Sequence, residues 1–429
     1  MKSIVITLLF LALASTSGAA TGRLTLDQAL QIAMEKNRDI DLAREYAKYV
    51  QGRYLEERAA ALPQLSISAG YSALRDDGQP SVMGGETTMY NSSAGLSLSQ
   101  PLYTWGKIGA AIRAAEAGLR TADEELRTAR QSAYRNVSVA FYEVLLHREL
   151  QRLAAENLEQ KKRHADEAHK RFAAGVATDY DVLAADVAVE NARPETIRTA
   201  NQLRIARERL RFLLAGEDEG LDVEGSLAVT PEPVPEYEAV LQRAMTKRPE
   251  LANQRERINI YGELVTIAAS DNKPRLDLKG GTGYGVMDSS LFNSSGPNWN
   301  VGVYLSFPFF DGFRTEGRVQ QARSDLEVKR IEEKKLADAI SLEVRNSISN
   351  LREAGEILTA LAGTVRQAER LLQMAEKGYE YGVKIRLEVD DAQLNLLQAR
   401  SSLARASRDY LAARVNLAWA MGVAGEEKE

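Results

Sequence analysis

The chain of 429 residues contains no cysteine. Disulfides, thiol chemistry and thiolate metal sites are therefore excluded, and an anchor that needs an acylated cysteine is not expected. Histidine is scarce: His147, His164 and His169 are the only three. His164 and His169 stand five apart, which is not the i,i+4 spacing of a helical metal pair. All three are expected at solvated helix positions. A basic surplus is missing too, because 55 Lys and Arg face 60 Asp and Glu for a net charge of −5. That balance gives no basic surface for nucleic acid. Nothing matches a nucleophile–base pair, a metal cluster or a phosphate loop. Gly280-Gly281-Thr282-Gly283 lacks the lysine and the helix start that a P-loop needs. Neither an enzyme nor a resident cofactor is expected.

Proline is absent from Gly106 to Ala174 and again from Gly312 to Tyr381. An uninterrupted helix of that size is ~100 Å long at ~1.5 Å per residue, whereas ordinary globular helices average ~11–12 residues. It needs partners along its whole length. Heptads supply them. Ala337, Val344, Leu351, Leu358, Val365 and Leu372 are spaced by seven, and Ile340, Ser347, Ala354, Leu361, Ala368 and Ala375 form a second register. A new stripe starts at Val389 and runs through Leu396, Leu403, Tyr410 and Leu417. A seven-residue period falls short of two full α-turns, so such helices wind left-handedly around neighbours. The expectation is an elongated coiled structure.

The pattern occurs twice. With a constant offset of 207, Pro101 falls on Pro308, Gly175 on Gly382, Val182 on Val389 and Ala192-Arg193 on Ala399-Arg400. Upstream an offset of 211 brings Ala33-Met34 onto Ala244-Met245 and Pro63 onto Pro274. Solenoid repeats run roughly 20–50 residues, so a duplication this large is two copies of one structural unit.

Between the helices lie four segments of period two, the strand signature. Leu65, Ile67, Ala69, Tyr71 and Ala73 alternate with serine and glycine, as do Ala94, Leu96 and Leu98. Leu276 and Leu278 open a third, and Trp299, Val301, Val303, Leu305 and Phe307 form the fourth. The apolar face suits either a soluble core or lipid around an outer-membrane barrel. Tyr103, Trp105, Phe307, Phe309 and Phe310 gather at the proline ends, and Trp299 joins them as a candidate interface aromatic. An aromatic belt and packing against the helices account for that placement equally well. Four strands cannot close a barrel, and open edges are not tolerated in lipid. Two chains would supply eight strands and three would supply twelve.

The first twenty residues read as a secretory signal: Lys2, then apolar Ile4 to Ala14, then Ser17-Gly18-Ala19-Ala20. The apolar run is too short to span ~30 Å of hydrocarbon. The expected organisation is a signal at 1–20 and a first repeat at 21–216. That repeat holds strands near 64–76 and 89–101 and helices near 104–174 and 178–214. A linker at 217–235 leads to a second repeat at 236–423. Its strands are expected near 274–287 and 298–309, its helices near 312–381 and 385–421, and 424–429 is expected to be a flexible tail.

This organisation resembles the TolC-type outer-membrane efflux factors of Gram-negative bacteria. The motifs that carry the resemblance are Leu24-Thr25-Leu26-Asp27-Gln28-Ala29-Leu30, Gln100-Pro101-Leu102-Tyr103-Thr104-Trp105-Gly106-Lys107 and Phe307-Pro308-Phe309-Phe310-Asp311-Gly312. The tip motifs around Gly175 and Gly382 complete the match. The resemblance implies a mainly α fold with membrane strands. Three chains would share a twelve-stranded β-barrel in the outer-membrane lipid, continued by a periplasmic coiled-coil barrel. It implies a passive exit duct of a tripartite efflux or type I secretion system. Its partners would be a periplasmic adaptor and an inner-membrane transporter. A soluble periplasmic coiled-coil scaffold is the competing reading.

The resemblance also implies site residues. Glu388 and Asp391, three apart and so on one helix face, match an acidic ring at the constricted aperture. Acids at a helix start are alternatively explained by the helix dipole, worth ~0.3–1 kcal/mol each. Asp390 adds a further carboxylate beside them. Asp181, Tyr379 and Lys384 match positions that latch neighbouring hairpins, although Lys384 lacks the bidentate fork of an arginine. Pro194 interrupts the first copy, where the second has Ser401, and a local bend is expected there.

Overall fold

The computed structural model describes residues 23–75, 88–216, 220–289 and 293–426. The expected signal at 1–20 lies outside the described residues. Two copies of one unit are laid out in chain order. The first contains α1 (Leu26–Lys36), α2 (Arg38–Ala59), β1 (Gln64–Arg75), β2 (Thr88–Tyr103), α3 (Lys107–Ala173) and α4 (Asp179–Leu213). The second contains α5 (Tyr237–Lys247), α6 (Pro249–Ala269), β3 (Arg275–Ser289), β4 (Asn293–Ser306), α7 (Arg314–Glu380) and α8 (Arg386–Ala420). The copies agree closely in size. Both α3 and α7 have 67 residues, and both α4 and α8 have 35. No described helix is long and apolar enough to cross a membrane.

Local chemistry sets the boundaries. Asn37 caps α2, its side chain accepting from the backbone N–H groups of Asp39 at 2.9 Å and Ile40 at 3.4 Å. Pro249 occupies the first turn of α6, where its missing N–H costs nothing. The strand-to-helix junctions use two successive left-handed residues in both copies. Trp105 and Gly106 have φ of 50° and 79°; Gly312 and Phe313 have 67° and 64°. A bulky residue with positive φ is strained, so this turn is held by its surroundings. It also explains why α3 begins at Lys107 rather than near 104.

The four strands form one antiparallel sheet in the order β1-β2-β3-β4. Its mid-sheet pairing places Gly95 opposite Gly283. A Cβ on Gly283 would meet the Ala94 carbonyl at 2.7 Å and the Gly95 Cα at 3.1 Å, so this crossing accepts only glycine. Every residue of β1 is exposed. The strands differ from expectation in extent. β2 runs on to Tyr103, and β4 begins at Asn293 instead of near 298. The Gly/Ser/Asn composition there suggested loop, yet Asn293 to Pro297 continue to pair with Asp288 to Tyr284. Pro297 has no N–H to donate and stands on β4, the last strand of the sheet within one chain.

Two compact units are distinguished. One comprises the described parts of Met1–Glu35, Asn136–Thr230 and Ile357–Ala412; the other comprises those of Lys36–Arg135, Pro231–Glu356 and Ala413–Glu429. In the first unit Ala29 and Ala33 of α1 pack with Val137, Phe141 and Val144 of α3 and with Leu203 and Leu210 of α4. Val223 of the linker joins this cluster through a parallel bridge to Leu24. In the second unit the buried Arg248 stacks on Trp419, and Gln131 donates to the Gly422 carbonyl at 2.6 Å. The end of the chain departs from the expected flexible tail over 424–426. Ala424 is buried, and Glu426 pairs with Arg127 at 3.3 Å and Lys247 at 3.4 Å.

The expected stripes are buried in part, with Ala337, Ser347, Ala354, Leu361, Leu372 and Leu403 only half-buried. Val344, Leu351, Leu358 and Val365 are nearly inaccessible on α7, as are Val389, Leu396, Tyr410 and Leu417 on α8. Pro194 lies inside α4, which continues unbroken through it. The histidine expectation needs correction. His147 and His164 are half-buried rather than solvated, because both face packed helix surfaces; His169 is exposed and pairs with Asp186 at 3.0 Å.

Candidate functional site

The two helix hairpins meet in the first unit. α3 ends at a tight turn in which Gly175 has φ of 73°, and Val176 N–H donates to the Arg171 carbonyl at 2.9 Å. The second hairpin repeats it: Gly382 has φ of 71°, and Val383 N–H donates to the Gly378 carbonyl at 2.8 Å. Left-handed glycines of this kind satisfy the last helical carbonyls.

Each following helix is capped by an acid. Thr178 and Asp181 form a capping box at the start of α4: Thr178 N–H donates to the Asp181 carboxylate at 2.8 Å. That N–H, then the Thr178 hydroxyl, holds the Asp181 carboxyl below its ordinary pKa. Glu388, its counterpart at offset 207, accepts from Ile385 N–H at 3.1 Å and from the Lys384 ammonium. The Lys384 contact first, and the Ile385 N–H second, keep the Glu388 carboxyl low. Equivalent acids thus do the same local work in both copies. Lys384 and Asp181 do not meet one another.

Tyr379 bridges the hairpins. Its hydroxyl accepts from the Arg171 guanidinium at 2.7 Å, and Arg386 lies 5.7 Å from its ring centroid. Alongside it, Asp390 pairs with Lys161 of α3 at 2.9 Å and with Arg386 at 3.5 Å. His164 and Gln393 sit between the same helices, 3.3 Å apart. A cleft of about 290 Å³ opens among Lys161, His164, Arg171, Tyr379, Arg386 and Asp390. Asp391 is exposed and makes no hydrogen bond or ion pair among the described residues. Of the expected latch and ring, therefore, only Tyr379 joins the two hairpins of one chain.

Lys161, Arg171, Arg386 and Gln393 were missed by sequence reasoning, and His164 was expected at a solvated position. The repeat carried a signal for some of them. At offset 207 Lys161 falls on Ala368, His164 on Leu371 and Asp390 on Leu183. Charge in one copy against apolar residues in the other marks where the hairpins do different things.

At the sheet end of the second unit, Asp271 accepts from Lys107 at 2.6 Å and Arg318 at 2.8 Å, tying the starts of α3 and α7 to the end of α6. Tyr103, Trp105, Phe307, Phe309 and Phe310 are exposed there, whereas Trp299, also exposed, stands in the middle of β4 opposite Thr282. Tyr103 and Trp105 make an edge contact at 5.4 Å. Their outward placement leaves them little packing against helices of the same chain.

Known proteins share this arrangement. Residues 29–216 and 240–423 match the family described as Outer membrane efflux protein. The chain is 26% identical over 378 residues to the outer membrane protein TolC of Vibrio cholerae serotype O1, covering 86% of this chain and 84% of that protein. It is 28% identical over 390 residues to the cobalt-zinc-cadmium resistance protein CzcC of Cupriavidus metallidurans, covering 89% and 86%. The fold matches the CmeC outer membrane channel of Campylobacter jejuni with a TM-score of 0.83 at 18% identity, over 94% of this chain and 87% of that one. The two matched segments fall on the two structural copies, and both hairpins lie within them. The chain therefore belongs to the outer membrane efflux protein family and is an outer-membrane efflux channel, not a soluble scaffold.

Proposed function

We propose that three copies of this chain close a twelve-stranded barrel in the outer membrane, continued into the periplasm by a helical barrel. They form a passive exit duct for an efflux or type I secretion system. A periplasmic adaptor and an inner-membrane transporter deliver the cargo, and the transporter selects it. The observation that carries this reading is the sheet itself. β1 pairs only with β2 and β4 only with β3, so both edges are free among the described residues. Free edges in lipid leave backbone groups unsatisfied at several kcal/mol each. Joining the β4 edge of one copy to the β1 edge of the next removes every edge. Three copies leave a water-filled interior, whereas two would fill it with side chains. The exposed aromatics around Trp105 and Phe309 then meet the membrane interface.

The duct is gated where the hairpins converge. The Arg171–Tyr379 hydrogen bond and the Asp390–Lys161 ion pair hold one hairpin against the other. Asp181, Tyr379 and Lys384 frame this latch, and Glu388 with Asp391 ring the aperture. Planar-bilayer recording of the purified protein tests the gate. Low conductance is expected for the unmodified channel, and a clear rise for Arg171→Ala combined with Tyr379→Phe. Asp181→Ala with Lys384→Ala should do less, since both residues serve their own helix starts. A large, permanently open conductance in the unmodified protein would overturn the closed tip.

A further inference from the structure

The seam between α3 and α8 contains an ionisable group beyond the Arg171–Tyr379 and Asp390–Lys161 contacts. His164 lies half-buried on α3, beside Lys161 and Glu167 of its own helix. Facing it from α8 are Arg386, Asp390 and Gln393. Across the cleft stand Arg171, Asp181 of α4 and Tyr379 of α7. The charges nearest it are two cations, Lys161 and Arg386, and two carboxylates, Glu167 and Asp390, of which Asp390 already pairs with both cations.

Gln393 reports which form of His164 this seam accepts. It is 7% exposed, and its amide nitrogen lies 3.3 Å from His164 Nε2 while its buried Oε1 has no partner among the described residues. An amide N–H₂ can donate to Nε2 only when that nitrogen carries no proton. The contact therefore belongs to neutral imidazole. Protonation would set two donors against one another and add a third cation beside Lys161 and Arg386. Turning the Gln393 amide would offer Oε1 to the protonated Nε2–H, but it would not offset the added charge, so the penalty of protonation is electrostatic.

We propose that His164 and Gln393 form a proton-sensitive tie between the α3–α4 and α7–α8 hairpins, so that periplasmic acidification loosens the tip and favours opening. The proposal rests on the reading of the tip as the gate. Its direction follows from the surroundings. Burial first, and then Arg386, hold the His164 pKa below its ordinary value while the seam is closed. A base whose pKa is depressed in one state stabilises that state fully above its ordinary pKa. The contribution is lost as pH falls through the ordinary value toward the depressed one. The window thus opens below about pH 6.5, the ordinary histidine value.

The test is single-channel recording at about pH 7.5 and about pH 5.5, either side of the ordinary histidine range. Wild type, His164→Gln and His164→Arg are compared, each verified as a trimer. Wild type should gain roughly threefold or more in open probability on acidification, the response of one histidine per chain. His164→Gln should lose that gain and stay at the neutral level. His164→Arg should open at both pH values. An acid response that survives unchanged in His164→Gln, or one absent from wild type, overturns the proposal. Arg171→Ala with Tyr379→Phe is recorded alongside. If that variant opens while His164→Gln keeps its acid response, the gate stands and the proton tie fails. If that variant leaves conductance unaltered, the gate reading itself fails.

Discussion

Arg248 shows what one residue contributes that no sequence pattern announces. Its side chain is 5% exposed, lies 4.7 Å over the Trp419 ring, and pairs with Glu250 at 3.1 Å and with Glu343. Burial opposes its charge, but the hydrogen bonds to Glu250 and Glu343 more than offset this and raise its pKa. Arg135 approaches the same ring at 4.6 Å, so Trp419 serves two guanidinium groups. Arg248→Met should cost about 2–3 kcal/mol, below the full penalty for breaking a buried pair because the glutamates keep some solvent. Arg248→Lys should recover only part, since lysine has neither the fork nor the planar stacking face. The temperature at which trimers dissociate on heating reads both losses; equal midpoints for all three proteins would remove Arg248 from the core. Nothing in the heptads points to this residue. Its partners are separated from it by as many as 171 positions, between Arg248 and Trp419, and only the folded chain brings them together. The same holds for His164, which reads as an ordinary polar helix residue until α8 covers it.

Elements were more legible than residues, because their signals repeat. A period of seven over ten turns survives individual exceptions, so the lines along which α7 and α8 are buried could be read from the sequence. Period two located all four strands, but composition misled at the glycine- and serine-rich ends, where pairing continued regardless. Duplication gave a second measurement of each boundary, and the junction before α3 and α7 illustrates its use. Trp105-Gly106 aligns with Gly312-Phe313, so glycine and an aromatic residue exchange places while the left-handed geometry stays. A position that must be left-handed favours glycine, and each aromatic there trades strain for contact, as with Phe310 and Phe313 at 6.0 Å. Gly312→Ala should therefore destabilise by about 1–2 kcal/mol, the cost of αL backbone with a Cβ. Phe313→Gly should relieve backbone strain and lose only the ring contact, leaving stability within about 1 kcal/mol of wild type. Heat-induced loss of trimers separates the two variants, and equal losses would show that side-chain contacts, not backbone geometry, govern this turn.

At the scale of the whole molecule, function depends on what single chains leave unfinished. The open sheet edges call for neighbours, and the exposed Asp391 gains a role only when such neighbours bring its copies together. Glu388 and Asp391 share a helix face but not a condition. Glu388 is neutralised locally by Lys384 and the Ile385 N–H, whereas Asp391 has no partner within the described chain. Three copies around a narrow lumen would bring three such Asp391 groups together. Like charges at close range raise one another's pKa and draw in cations, and a charged ring at a constriction selects by sign. The closed channel should therefore prefer cations and be blocked by trivalent cations from the periplasmic side. Asp391→Ala alone should remove most of both effects, and Glu388→Ala alone should remove little. Lys384→Ala should strengthen them by releasing the Glu388 charge. Reversal potential under a salt gradient reads the selectivity, and titration with a trivalent cation reads the block. If Asp391→Ala leaves both unchanged, the acids near Glu388 are helix-start residues and the aperture lies elsewhere along the duct.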